Sequence, residues 1–386
     1  MRALLAFDKF KDALTAPQAC DLTAAVLRRT HADWSLDLCP LADGGEGFAE
    51  ILTRAAGGRL ITQTVTGPRG APVAAAFGLV RWEKIPTAAR TRLDLPAGLP
   101  ASAEIAVIEM AAASGLALVP YGERDPWHAN SLGTGELMRA ATAHDAAAIL
   151  LGVGGSATND LGLGALAALG LEFRTTTGDT VALPTPATWP SIARLEKRVR
   201  ADLPPVRIAC DVSNPLLGPN GCAAIYGPQK GLLPADRTRM ENASARLALM
   251  LAAHCGQPES LMDRTGAGAA GGIAYGLMAA AGAILLPGAD LVGAWLDLEA
   301  RIAAADLVIT GEGRFDDSSL SGKGPGEVAR RALELGKAAC VFAGSVTVTT
   351  PHAGLQLHAI TPPGVPLPEA LRTAGANLTA TVERAL

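Results

Sequence analysis

The stretch "AAILLGVGGSATNDLGLGALAALGL", residues 147–171, decides the fold class of this chain. Its apolar opening stops at a glycine, the pattern of a strand buried on both faces. Its alanine- and leucine-rich close reads as a helix. Between them lie Gly152, Gly154 and Gly155 with Ser156, Thr158, Asn159 and Asp160. A strand that runs through a glycine turn into a helix is the repeating unit of an α/β fold. Such a turn also gathers backbone N–H groups at the positive end of a helix dipole, which is how many proteins hold anions.

The same grammar extends to both ends of the chain. "RALLAF" (2–7) reads as a buried strand, and "TAPQACDLTAAVLRR" (15–29) as a helix. Thr15 stands three positions before Gln18, a capping-box spacing, with Pro17 in the first turn. "SLDLCP" (35–40) then gives a strand and "LADGGEGFAEIL" (41–52) a loop that opens a helix. Near the other end, "ADLVITGEGRFDD", "GPGEVARRALELG" and "AACVFAGSV" repeat strand, helix and strand. Like grammar at both ends predicts one discontinuous, Rossmann-like parallel-sheet domain, residues 1–64 and 288–386, with a mixed α/β domain, 65–287, inserted. The insertion begins where "ITQTVTGPRGAPVAAAFGLV" (61–80) turns to hairpin-like alternation about Gly67-Pro68-Arg69-Gly70.

Length and composition agree with two α/β domains. At 386 residues the chain exceeds one ordinary core, and an aromatic content of 4% with abundant small aliphatics suits helices packed on parallel sheets. A net charge of −4 with no basic stripe argues against a nucleic-acid binder. The cysteines, at 20, 39, 210, 222, 255 and 340, form no C-x-x-C pair, so neither a zinc site nor a disulfide framework is expected. Asp8 and Lys9 interrupt the N-terminal apolar run before a signal peptide could complete itself, and a cytoplasmic location is expected. "AGAAGGIAYGLMAAAGAILLP" (267–287) is uncharged and as long as a membrane span, yet it reads better as a glycine loop, a buried helix and a short strand.

Four glycine clusters end predicted strands, three of them carrying acids: Asp43–Gly47, Gly152–Asp160, Gly266–Gly272, and Gly311–Asp316 with Gly313 at its centre. In open α/β sheets ligands bind outside the carboxyl ends of strands. The strand-end acids Asp8, Asp43, Glu46, Asp211, Glu312 and Asp316 are candidates to hold Mg²⁺. Lys9, Lys11, Lys230, Arg124 and Arg314 are cations suited to neutralise a phosphoryl group or clamp a carboxylate. Gly152-Val153-Gly154-Gly155-Ser156-Ala157, with Glu172 beyond it, also matches a dinucleotide fingerprint, which keeps a hydride-transferring enzyme as the alternative. Gly322-Lys323 lacks the earlier glycine of a P-loop. The histidines are isolated, and Cys210 has no histidine placed to activate it.

Nine motifs in order carry a specific resemblance: "DKFKDALTA", "LADGGEG", "VTGPRG", "IEMAAASGL", "RDPWHANSLGTGEL", "LGVGGSATNDLGLG", "ACDVSNPLLGPNGCAAIYGPQKG", "GAGAAGG" and "VITGEGRFDDSSLSGKGPGEVA". The chain resembles the bacterial type I glycerate kinase family. The resemblance implies transfer of the γ-phosphoryl group of ATP to D-glycerate with Mg²⁺, giving 2-phosphoglycerate, by two α/β domains with the active site in the cleft between them. For that reaction Gly154, Gly155, Ser156, Thr158, Asn159 and Gly313 are expected to hold the nucleotide's phosphates, and Glu312 and Asp316 the metal. Lys11, Lys230 and Arg314 are expected to screen the phosphoryl group or bind the acid, and Asp43 or Asp211 to accept the hydroxyl proton. The alternatives are an NAD(P)-dependent dehydrogenase of a small hydroxy acid and a silent sugar-acid-binding protein.

Overall fold

The computed structural model describes residues 1–317, 319, 324–348 and 354–386; Gly322 and Lys323 lie outside the described residues. The strands are β1 (Arg2–Phe7), β2 (Ser35–Leu38), β3 (Arg59–Thr66), β4 (Pro72–Arg81), β5 (Glu104–Glu109), β6 (Ala148–Gly152) and β7 (Glu172–Arg174). They continue as β8 (Arg194–Glu196), β9 (Val206–Ala209), β10 (Ile284–Leu286), β11 (Leu307–Phe315), β12 (Ala338–Val346) and β13 (Leu355–Ala359). By contact the chain divides into Met1–Asp43 with Val292–Leu386, and Gly44–Leu291.

The first unit is a parallel sheet ordered β13-β12-β11-β1-β2. Numbered along this unit alone the order is 2-1-3-4-5, a doubly wound sheet whose order reverses between β1 and β11. Alternation along β12 shows the two faces. Cys340 and Phe342 join a core with Ala19, Ala24 and Leu27 of the helix Ala16–Thr30 and Leu378 and Val382 of the helix Leu367–Ala385. Val341 and Ala343 join Ala329 of the helix Gly324–Glu334. Adjacent residues therefore bury opposite faces under different helices. The expected capping box is present: Gln18 N–H donates to Thr15 Oγ1, and Thr15 N–H to Gln18 Oε1.

The second unit is a mixed sheet, ordered β10-β9-β6-β5-β4-β3. β10, β9, β6 and β5 run parallel, and β4 and β3 close the edge antiparallel. The expected hairpin is β3–β4, with Gly67 N–H bonded to Ala71 O across the turn at 2.7 Å. Residues 44–64, expected with the first unit, cluster with the second. The cause is packing: the helix Phe48–Ala55 buries Phe48, Ile51 and Leu52, and its Ala49 N–H donates to the Glu109 carboxylate at the end of β5. Residues 267–287 form the expected loop, helix and strand, with positive φ at Ala270, Gly271 and Gly272 before the helix proper and β10 after it. Among the described residues no helix is long and apolar enough to cross a membrane.

One buried carboxylate ties the centre of this unit together. Asp160 accepts from Ser131 N–H (2.8 Å), Ser131 Oγ–H (2.7 Å), Gly162 N–H (3.1 Å) and Gly164 N–H (3.3 Å). Ser131 Oγ in turn accepts from Ala165 N–H. Two helix beginnings, at Leu132 and Leu163, are thus fastened to the end of the glycine loop. Burial pushes this carboxyl upward against the pull of its donors. Asp160→Asn turns an amino group toward those donors and is expected to cost about 2–4 kcal/mol in urea unfolding; a loss below about 0.5 kcal/mol would show that the helices stand without it.

Candidate active site

In the first unit the acids meet where the strand order reverses. Asp8 follows β1, and its N–H donates to Gly311 O of β11 at 2.9 Å, which sets it beside Glu312. Lys9 Nζ bonds Asp43 Oδ1 at 2.8 Å, and Lys9 N–H donates to Asp8 Oδ1 at 2.7 Å. Burial, with Asp43 and Glu312 beside it, pushes the Asp8 carboxyl up to about 7, against the pull of Lys9. Burial also raises Glu312, with Asp316 and Asp43 adding to it. Carboxyls raised by burial and by acidic neighbours at the carboxyl ends of a doubly wound sheet mark a candidate functional position.

The expected metal pair, Glu312 and Asp316, lies here. Glu312 Oε1 is buried without a hydrogen-bond partner among the described residues, which suits it to a cation. Asp316 Oδ2 is ion-paired with Arg314 Nε at 3.1 Å, and the Arg314 side chain is otherwise exposed. No group of three or more His, Cys, Asp or Glu with metal-holding geometry occurs among the described residues. Mg²⁺ needs only one or two carboxylates when water and phosphate complete its shell, so Glu312 and Asp316 fit that ion rather than a fully enclosed one. Lys11 is exposed, and Gly313 lies so near it that a Cβ there would come 3.3 Å from Lys11 N.

In the second unit the glycine loop after β6 is packed rather than open. Gly154 N–H donates to Gly44 O at 2.9 Å, and a Cβ on Gly154 would come 2.7 Å from Gly45 N. Gly155 has φ +71°, and a Cβ there would meet Glu46 Oε1 at 2.5 Å. The amide of Gly154 is therefore spent on the neighbouring turn. Ser156, Thr158 and Asn159 are buried. Thr158 Oγ1 and both amide atoms of Asn159 have no hydrogen-bond partner among the described residues.

Lys230 reaches this loop from the turn Pro228–Lys230. The residue is only 2% exposed, and its Nζ donates to Ser156 Oγ (2.9 Å) and Thr158 O (2.6 Å). Burial lowers its pKa to about 8. Arg69 and Arg124 line a small pocket with it. Arg69 escaped notice because "GPRG" reads locally as a turn and nothing more.

Other expected residues stand elsewhere. Both oxygens of Asp211 accept from Ala289 N–H (3.1 and 3.0 Å) in the first turn of the helix Gly288–Trp295. The dinucleotide reading loses its support. The helix after the loop begins only at Leu163, and Glu172 of β7 is ion-paired with Arg174 and Lys197. The cysteines are all free.

Comparison with known proteins agrees with these elements. The model of the glycerate kinase family matches residues 3–386. The glycerate kinase of Bacillus subtilis (strain 168) is 36% identical over 97% of this chain and 94% of its own. The glycerate 2-kinase of Escherichia coli (strain K12) is 37% identical over 90% of this chain and 86% of its own. A crystal structure assigned as glycerate kinase 2 from Salmonella typhimurium LT2 superposes with a TM-score of 0.75 at 36% identity, covering 100% of this chain and 96% of that one.

The buried ammonium has a measurable signature. Its folded pKa lies below the unfolded value, so the folded state releases its proton first and stability rises with pH between about 8 and the unfolded value of 10.5. Over that window the wild type is expected to gain up to roughly 3 kcal/mol relative to Lys230→Met, read from urea unfolding at successive pH values. Identical pH slopes for the two proteins would mean that burial leaves the ammonium with the same pKa in the folded as in the unfolded chain.

Proposed function

This chain belongs to the glycerate kinase family, and on that premise we propose that it transfers the γ-phosphoryl group of ATP to D-glycerate, giving 2-phospho-D-glycerate and ADP. The observation that carries this reading is the set of carboxylates at the reversal point of the parallel sheet, Asp8, Asp43, Glu312 and Asp316, held in mutual electrostatic reach. Phosphoryl transfer asks little covalent work of a protein and much positioning and charge neutralisation. Mg²⁺, when bound, supplies the neutralisation of the phosphate oxygens.

In this reading Glu312 and Asp316 hold the ion directly or through water. Ser156, Thr158 and Asn159 of the second unit, and separately Gly313 of the first, are proposed as phosphate-holding residues, while Gly154 and Gly155 act through close packing. Among these the side chains of Thr158 and Asn159 carry the buried unpartnered atoms that a polar ligand would satisfy. Lys11 and Arg314 screen the transferring group, and Lys230 holds negative charge at the glycine loop. Asp43 is favoured over Asp211 as acceptor of the hydroxyl proton: its side chain is 56% exposed and held by Lys9, whereas Asp211 is engaged at a helix start. The 2-hydroxyl is proposed because the Escherichia coli relative bears the name glycerate 2-kinase.

Incubation with ATP, Mg²⁺ and D-glycerate is expected to release ADP, with NMR identifying phosphate on the 2-hydroxyl. Tight NADH binding without ADP release would instead favour the dehydrogenase alternative. Asp43→Asn is expected to lower kcat by about 10²- to 10⁴-fold with KM for glycerate changed only a few-fold. Normal turnover by Asp43→Asn would remove this residue from the role and return it to Asp211.

A further inference from the structure

The pocket beside Lys230 carries an unusual charge balance. It is a narrow cleft, partly open to solvent, and Arg69, Arg124, Lys230, Asp125, Leu116 and Val119 line it. Three cations thus face one acid, and that acid is already engaged. Asp125 accepts from Trp127 N–H at 2.9 Å, bonds the His128 ring through Nδ1 at 2.6 Å, and lies 3.8 Å from Arg69 Nη1. Arg124 is the least satisfied of the cations. Its Nη1 donates to Gln229 O at 3.3 Å, while its Nε is buried without a hydrogen-bond partner among the described residues.

The wall is built rather than incidental. Asn130 N–H and Nδ2–H both donate to Pro68 O, which fixes the hairpin turn that presents Arg69. Arg124 lies over the Tyr121 ring, 4.8 Å from its centroid. Gly231 has φ +94°, and a Cβ there would come 2.2 Å from Arg124 O, so only glycine lets the chain after Lys230 lie against Arg124. Leu116 N–H donates to Gly155 O at 2.7 Å, joining the apolar wall to the glycine loop.

We propose that Arg69, Arg124 and Lys230 form the subsite that grips the carboxylate of a small hydroxy acid, with Arg124 as the principal donor and Leu116 and Val119 covering the carbon chain. The proposal rests on the kinase reading and names where its acid substrate is anchored. A planar guanidinium matches a carboxylate bidentately, which a lysine cannot do.

Calorimetric titration of D-glycerate into the full-length protein without nucleotide tests the pocket independently of turnover. Wild type is expected to bind, and Arg124→Gln to bind about 10- to 100-fold more weakly. Arg69→Gln is expected to lose less, since Asp125 already shares that guanidinium. Arg124→Lys keeps the charge without the fork and guards against a folding artefact; it is expected to fall between wild type and Arg124→Gln. In steady state these variants are expected to raise KM for D-glycerate while KM for ATP stays within about twofold. A rise in KM for ATP alone would assign the pocket to phosphate and overturn the proposal. Unchanged glycerate affinity in both Arg124 variants, or no glycerate binding by wild type, would overturn it as well. Wild type that binds glycerate through Arg124 yet releases no ADP would sink the kinase reading and leave this assignment standing.

Discussion

The second unit depends on one buried carboxylate with four donors. Asp160 holds the beginnings of two helices to the end of the glycine loop, and through them it fixes Thr158 and Asn159 immediately before it. From the opposite side the backbone of Gly271 closes on the same residues, where a Cβ would come 2.0 Å from Thr158 O. A segment pinned from both sides cannot relax to pair its own polar groups. That is why Thr158 Oγ1 and the Asn159 amide stand unsatisfied in the interior, at a cost ordinary folding would remove. It is also why Lys230 can be buried at all: Thr158 O and Ser156 Oγ are held where its ammonium needs them.

The two units carry opposite electrostatic imbalances. In the first, Asp8 and Glu312 are raised by burial and by neighbouring carboxylates, with Lys9 paired to Asp43 and Arg314 to Asp316. In the second, Lys230 is lowered by burial, and Arg124 keeps a buried unpartnered Nε. A protein selected for stability alone would pair such groups or replace them with apolar ones. Taken unit by unit, the acid cluster favours a cation and the basic pocket favours an anion.

Much of the fold was legible because its signals are local. The apolar runs of β1 and β6, the Thr15–Gln18 capping box and the β3–β4 hairpin each lie within a few residues and name their own structure. The placement of residues 44–64 was not legible, because it turns on the helix Phe48–Ala55 packing beside β5, whose Glu109 lies 60 residues from Ala49. The strand-end acids were legible as a class, since carboxylates after parallel strands point to one edge of a sheet. Their individual duties were not. Asp211 caps a helix that begins 77 residues later at Gly288, and Arg69 reaches significance only through Lys230, far along the chain.

The glycine loop shows how a correct element can be read for an incomplete reason. Taken alone, Gly152, Gly154 and Gly155 suggest free amides awaiting a phosphate. In the folded unit the Gly154 amide already serves Gly44 O, and a Cβ at Gly152 would come 2.6 Å from that same carbonyl. What these glycines contribute is the absence of side chains, which lets one backbone turn lie directly on another. The consequence is positional. Because the loop is clamped at its first residues, the polar residues that follow, Ser156 to Asp160, enter the interior in a set order: one hydroxyl to Lys230, one carbonyl to Lys230, one amide side chain unpaired, one carboxylate to the helices. The anion binding proposed at this turn therefore rests on the lysine that the loop holds in place, with the glycines acting through the packing that makes its burial possible.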